Sequence, residues 1–159
     1  MKLTGEELIN LLYKCVDNQE IIELRKKLGV YDTPIITKDF KEDGYDSIES
    51  DKMHAEIFFS DISKFDKNVD NDIDCSILFS GIDLWKRTKI PLPFGLKMRD
   101  SLEVAIQKIG KEPDIDSDWL PYKGWRLKRS NGAPYTIGAM FKNDDFKDLH
   151  KINLHTVKN

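Results

Sequence analysis

Leu8, Leu11, Leu12 and Cys15 recur at i, i+3, i+4 and i+7, the spacing of one helix face, and predict a helix over Glu6 to Val16. Thr4 is its N-cap, and Glu7 three residues later completes a capping box. A second amphipathic stretch opens at Asp17 or Asn18 and runs through Leu28, with Ile21, Leu24 and Leu28 turned inward. The basic last turn Arg25-Lys26-Lys27 suits the negative end of the helix dipole, and Gly29 is the stop.

Between Tyr31 and Thr88 the pattern changes to short apolar runs separated by charged, turn-prone residues. Ile35-Ile36-Thr37, Ala55 to Phe59 and Cys75 to Phe79 are rich in β-branched or aromatic residues and predict strands, with Lys41-Glu42-Asp43-Gly44 as a turn. Ile82 to Trp85 extends the third strand past Gly81, where a bulge is expected. Ile90 to Gly95 carries two prolines that cannot donate to a ladder, so it predicts a connector.

Beyond the connector, Asp100 or Ser101 caps a helix that ends at Ile109, with Leu102, Ala105, Ile106 and Ile109 on its apolar face and Gly110 as its stop. Trp125-Arg126-Leu127, Tyr135 to Phe141 and Ile152-Asn153-Leu154 then predict a three-stranded meander, turning at Ser130-Asn131-Gly132 and Asn143-Asp144-Asp145. The order helix, glycine stop, strands therefore occurs twice. The expected fold is α+β: an N-terminal helical hairpin and a second helix region packed on antiparallel sheet, in one domain over residues 1–159. Half-repeats over 1–88 and 92–159, joined by the connector at 90–95, are an alternative description of the same order.

Composition supports a folded chain: 40% of residues are hydrophobic and 33% charged, too apolar for disorder. No apolar run approaches the roughly 18 residues needed to cross a bilayer, and the first seven residues lack the basic-then-apolar order of a secretory signal. Cys15 and Cys75 match no C-x-x-C spacing and are expected to be buried thiols of a reducing compartment, although the sequence does not exclude a disulfide. The expected location is the cytoplasm. The net charge of −3 is unevenly spread: residues 38–83 hold 5 basic and 13 acidic groups, while residues 84–159 hold 15 and 9. The acidic middle repels nucleic acid and attracts a basic protein surface.

Motifs for catalysis are missing. There is no G-x-S-x-G, no G-x-x-x-x-G-K and no G-x-G-x-x-G. His150 and His155 are five apart on a predicted strand and point to opposite faces. With His54, they are expected to be surface residues rather than a metal set. Asp70-Asn71-Asp72-Ile73-Asp74 begins like a calcium loop, but Cys75 stands where its glycine belongs and Gly81 where its last acid belongs; Asp114 to Asp118 fails similarly at Trp119. Both predict solvated acidic turns. Lys123 to Arg129 interleaves aromatics with cations, but alternation in a strand accounts for that, and the overall acidity argues against nucleic acid. No enzyme activity, cofactor or metal is expected.

Two contact sets remain. One is the acidic run Asp39, Glu42, Asp43, Asp46, Glu49 and Asp51, followed by Asp66, Asp70, Asp72 and Asp74, a field that would steer a cationic partner. The other is Trp119, Tyr122 and Trp125, since exposed aromatics supply much of the binding energy at interfaces and buried ones supply core.

The segment Leu92-Pro93-Phe94-Gly95-Leu96, followed by Asp100 to Val104 and Ile109-Gly110-Lys111-Glu112-Pro113, resembles a pattern of bacterial immunity proteins. Its parts are a proline-bearing lead-in, a Ser-x-x-x-aliphatic helix and a Gly-x-x-Pro exit. Similar helix-then-sheet units occur in tandem in proteins resembling the β-lactamase-inhibitor fold, and in immunity proteins of contact-dependent growth inhibition and other polymorphic toxin systems. Small outer-membrane lipoproteins share the unit but carry a signal. The resemblance implies a protein that binds and neutralises a toxin domain, in this case a basic one such as a nuclease. The alternative is a non-catalytic adaptor of a housekeeping complex. Immunity families share no fixed binding motif, so the contact residues rest on charge and aromatic content alone.

Overall fold

A computed structural model describes residues 2–64 and 75–157. Thr4 accepts from the Glu7 amide and opens α1 (Gly5–Leu11), and Asn18 accepts from the Glu20 amide and opens α2 (Gln19–Lys27). α1 is shorter than its periodicity predicts, and the reason is tertiary. Tyr13 N–H donates to Phe79 O, Phe79 N–H to Lys14 O, and Val16 N–H to Ile77 O, so residues 13–16 leave the helix to pair with a strand. The last turn of the expected helix is exchanged for sheet hydrogen bonds that only the folded chain can offer.

The segment after Gly29 corrects two expectations. Ile35-Ile36-Thr37 is not a strand, because the Thr37 hydroxyl accepts from Phe40 N–H and caps α3 (Lys38–Asp43). Lys41 to Gly44 is the end of that helix rather than a free turn, closed by Gly44 at φ 77°. The strand that follows, β1 (Tyr45–Ser50), is not foreseen by its composition, since Ile48 is its only aliphatic residue. Then come β2 (Ala55–Asp61) and β3 (Ile77–Trp85), with a register break opposite Gly81 that leaves Ser80 as the extra residue, close to where the bulge was expected.

The connector lies against the start of α1, where Gly5 N–H donates to Pro91 O. Ser101 accepts from the Val104 amide and opens α4 (Leu102–Ile109), which Gly110 ends at φ 82°. A two-residue β4 (Ile115–Asp116) falls within one of the expected acidic turns. The meander is β5 (Tyr122–Lys128), β6 (Pro134–Phe141) and β7 (Leu149–Thr156).

All seven strands of the described residues form one antiparallel sheet in the order β1-β2-β3-β7-β6-β5-β4. The protein is thus α+β, as the pattern predicts. Each side of the connector contributes its strands in sequence, and the last strand of each side meets the other at the centre. One register row crosses six strands: Ile48, Ile57, Ile82, Leu154, Ile137 and Trp125 are successive cross-strand partners. All six are buried, and they share one hydrophobic cluster with Leu8, Leu11, Leu12, Ile21, Leu24 and Leu28 of the helical hairpin. This row defines the inner face of the sheet.

The two cysteines are not separate thiols. Cys15 and Cys75 form a disulfide with their Cα atoms 5.9 Å apart, tying the segment between α1 and α2 to the residues just before β3. That pairing removes the compositional argument for a reducing compartment. None of the described helices is long and apolar enough to cross a membrane.

Candidate functional site

Side chains alternate across a strand, so the rows flanking the inner one point to the opposite face. Ser47, Phe58, Gly81, His155, Thr136 and Arg126 form one such row; Glu49, Glu56, Asp83, Asn153, Gly138 and Gly124 form the next. None of these residues belongs to the hydrophobic cluster that includes the helices. Among the described residues, the outer face is therefore a mixed polar and aromatic surface that shares no hydrophobic cluster with the helices.

Its fixed centre is Asp83, which is 4% exposed. Asn153 Nδ2 donates to Oδ1 at 2.6 Å, His155 Nε2 lies 2.8 Å from the same oxygen, and Lys151 Nζ is 3.2 Å from Oδ2. Burial by itself pushes the Asp83 carboxyl up, but the hydrogen bond and charge of His155, with Lys151 and Asn153, outweigh it and hold the group below the usual carboxylate range. His155 is therefore not the plain surface residue its spacing implied. Phe58 also contacts its ring, with centroids 4.9 Å apart.

Two glycines make this surface what it is. A Cβ at Gly81 would lie 2.5 Å from His155 Nδ1, and one at Gly138 would lie 2.5 Å from the Tyr122 ring. Both rings thus lie down on bare backbone. Hollows remain on either side of His155. One, of about 200 Å³, is lined by Tyr45, Phe58, Ser60 and Ser80. The other, of about 400 Å³, is lined by Leu120, Tyr122, Thr136, Met140 and Asn153, with Asp116 and Ser117 at its edge. Burial and the negative charge of Asp83 both push the Tyr122 phenol above its ordinary value.

Both Asp83 oxygens are occupied, and His155 Nδ1 faces Gly81 rather than a nucleophile. No cluster of metal-ligating side chains occurs among the described residues.

The sequence-predicted contact residues separate into distinct places. Asp39, Glu42 and Asp43 are exposed on α3 beside β1, while Asp46 is half-buried and already accepts from the Thr37 hydroxyl and the Ser47 amide. Asp70, Asp72 and Asp74 lie outside the described residues. Trp119 is 92% exposed and Leu120 53% exposed, on a turn where Ser117 Oγ accepts from both of their amides. Tyr122 lies on the outer face. Trp125 must be removed from the contact set: it is fully buried, and its Nε1 donates to Lys111 O at 2.8 Å.

The acidic helix and the exposed tryptophan therefore sit at opposite edges of a seven-stranded sheet, roughly 30 Å apart at the usual strand spacing. Of the central residues, Asp83 and Asn153 carry no signal in the sequence and His155 is expected there only as a surface residue, because the three are distant in the chain and match no motif. The one available signal was the placement of polar side chains at alternate positions within otherwise apolar strands.

Asp83→Ala is expected to lower unfolding free energy by about 2–3 kcal/mol, because it leaves Lys151 and Asn153 without their acceptor. The folded-state value of this group lies below its unfolded value, so its contribution is full above the unfolded value and fades as pH falls through the folded one. Urea titrations of wild type and variant should converge at acid pH; a gap that stays constant down to acid denaturation would refute the assignment.

Comparison with protein-family models, with curated proteins and with solved structures finds no match for this chain.

Proposed function

We propose that the protein binds another protein across the outer face of its sheet, and that the partner is a toxin domain which this contact neutralises. The observation that carries the reading is the position of Trp119: almost wholly exposed, on a turn held by Ser117 Oγ, and next to Leu120, which lines the larger hollow of the outer face. An exposed tryptophan is costly to leave in water and is the side chain most enriched among strong interface contacts. The toxin as partner follows from the immunity-protein resemblance of residues 92–113.

Asp39, Glu42 and Asp43 at the other edge would attract a basic surface and speed encounter, as an acidic mimic does at the phosphate-binding cleft of a nuclease. The aromatic edge would then supply the slow dissociation. Inhibition by occupation needs no chemistry from the bound protein. A cytoplasmic site of action is compatible with this reading but no longer supported by free thiols, and the binding argument does not depend on compartment.

The test is co-expression with a candidate basic nuclease toxin domain, read as rescue of growth, together with calorimetry on the purified pair. Trp119→Ala should weaken binding about 30-fold, the effect of losing roughly 2 kcal/mol at a strong aromatic contact. Unchanged affinity would remove the outer face from the interface. Failure to rescue growth, with capture of a housekeeping complex instead, would favour the adaptor reading.

A further inference from the structure

We infer that the groove between α1 and the β5–β6 hairpin binds a small molecule made of a carboxylate on an apolar body. The groove is separate from the docking face proposed above, since Ile9 and Tyr135 in its wall belong to the hydrophobic cluster of the inner face. Two hollows make it up, of about 260 and 140 Å³, and they share Asn10, Arg129 and Ser130. Ile9, Phe94 and Tyr135 line only the first, whereas Lys14 and Asn131 line only the second. Apolar surface thus passes directly into a polar, basic end.

The donors are already in place. Tyr135 is 5% exposed, yet its hydroxyl bonds to no group of the described residues and is not among the polar atoms closed to solvent, so an entering group can reach it. Burial pushes this phenol above its ordinary value, which keeps it protonated and suits it to an oxyanion rather than a cation. Arg129 Nη1 donates to Asn10 O at 3.0 Å and to Leu12 O at 2.9 Å, and the guanidinium lies over the Tyr13 ring, 5.6 Å from its centroid. Those contacts fix a positive group in the wall common to both hollows, so little ordering remains to be done on binding. Asn131 Oδ1 accepts from Ala133 N–H, which leaves its amide nitrogen as the other donor. Lys128 is exposed at the first hollow and Lys14 borders the second, although Lys14 also pairs with Glu20 at 3.2 Å. Glu6 is the acid in the lining, and its Oε1 is engaged by Phe94 N–H at 2.9 Å. That bond holds Phe94 at φ 59°, a conformation costly for a residue with a Cβ, with its ring 37% exposed beside the apolar end. Held strain of this kind is typical of ligand clamps. An amine would meet Arg129 and Lys128, and a bare phosphate would leave Ile9 and Phe94 uncovered, so an apolar carboxylate uses the whole groove.

The experiment titrates the full chain with 4-phenylbutyrate, with the matching alcohol and amine, and with inorganic phosphate, observed by NMR at the Ile9 methyl and the Ser130 and Asn131 amides. The carboxylate should move all three signals with a dissociation constant on the order of millimolar or below, about tenfold tighter than the alcohol or phosphate, and the amine should not bind. Tyr135→Phe should weaken the carboxylate about fivefold while unfolding at the wild-type urea midpoint, because the hydroxyl has no partner within the protein to lose. Ser130→Trp, which fills the wall common to both hollows from the exposed turn, should abolish the response. Trp119→Ala should leave it unchanged, which separates this site from the docking face. Absence of movement, an equal response to alcohol, amine or phosphate, or a response that survives both Tyr135→Phe and Ser130→Trp overturns the assignment. A Tyr135→Phe variant of clearly lower stability would show that the hydroxyl serves the fold instead, and would overturn it as well.

Discussion

Replacing Trp125 by alanine should lower the unfolding free energy by about 3–5 kcal/mol, the range found for truncating a large buried aromatic. Trp125 ends the inner row at β5, with no exposed surface, and its indole N–H satisfies the Lys111 carbonyl of the loop that leads into β4. Truncation would remove apolar area from the end of the core and leave that carbonyl without its donor. Phenylalanine at the same position should recover most of the packing but not the hydrogen bond, leaving a residual loss of about 1 kcal/mol. Equilibrium urea unfolding of the two variants separates the terms. A wild-type-like midpoint for the alanine variant would show that Trp125 is not core, and would return it to the contact set from which burial removes it.

Reduction of the Cys15–Cys75 bond is the other change with a large expected effect. The cysteines are 60 residues apart in sequence, and closing a loop of that length restricts the unfolded chain by about 4 kcal/mol in the chain-entropy account. Measured losses for such bonds commonly fall at about 2–4 kcal/mol, so the Cys15→Ser/Cys75→Ser double variant should unfold at clearly lower denaturant concentration. The loss need not be local in its consequences. Residues 13–16 hold to β3 through backbone hydrogen bonds at Phe79 and Ile77, and the bond reinforces the same junction between helical hairpin and sheet. Thiol titration of the unfolded, untreated protein gives the complementary reading: no free thiol is expected, and two would sink the assignment.

The two sets of contact residues chosen from sequence illustrate where pattern reading succeeds and where it fails. Trp119, Tyr122 and Trp125 lie within seven residues of one another and looked equivalent, yet they are exposed, half-buried and fully buried respectively. Periodicity relates Trp125 to Leu127 but cannot reveal that the turn at Ser117 holds Trp119 out in water. Similarly, Asp46 counted as one more charge in an acidic run, whereas the Thr37 hydroxyl and the Ser47 amide occupy its oxygens. Charge is visible in a list of residues; whether a charge is already satisfied is not.

Local chemistry alone accounts for the helix starts at Thr4, Asn18 and Ser101, the stops at Gly29 and Gly110, the connector, and the strands with alternating apolar residues. Each depends on contacts within a few residues, so the chain carries it in readable form. Tertiary structure decided the rest. α1 ends early because β3 offers residues 13–16 hydrogen bonds. Tyr45 to Ser50 is a strand because it takes the free edge of β2, despite its polar composition. Asp83, Asn153 and His155 form a site only because β3 and β7, more than sixty residues apart in sequence, pair at the centre of the sheet. Their register sets the three side chains side by side, and register between distant strands is a property of the closed sheet rather than of any one segment.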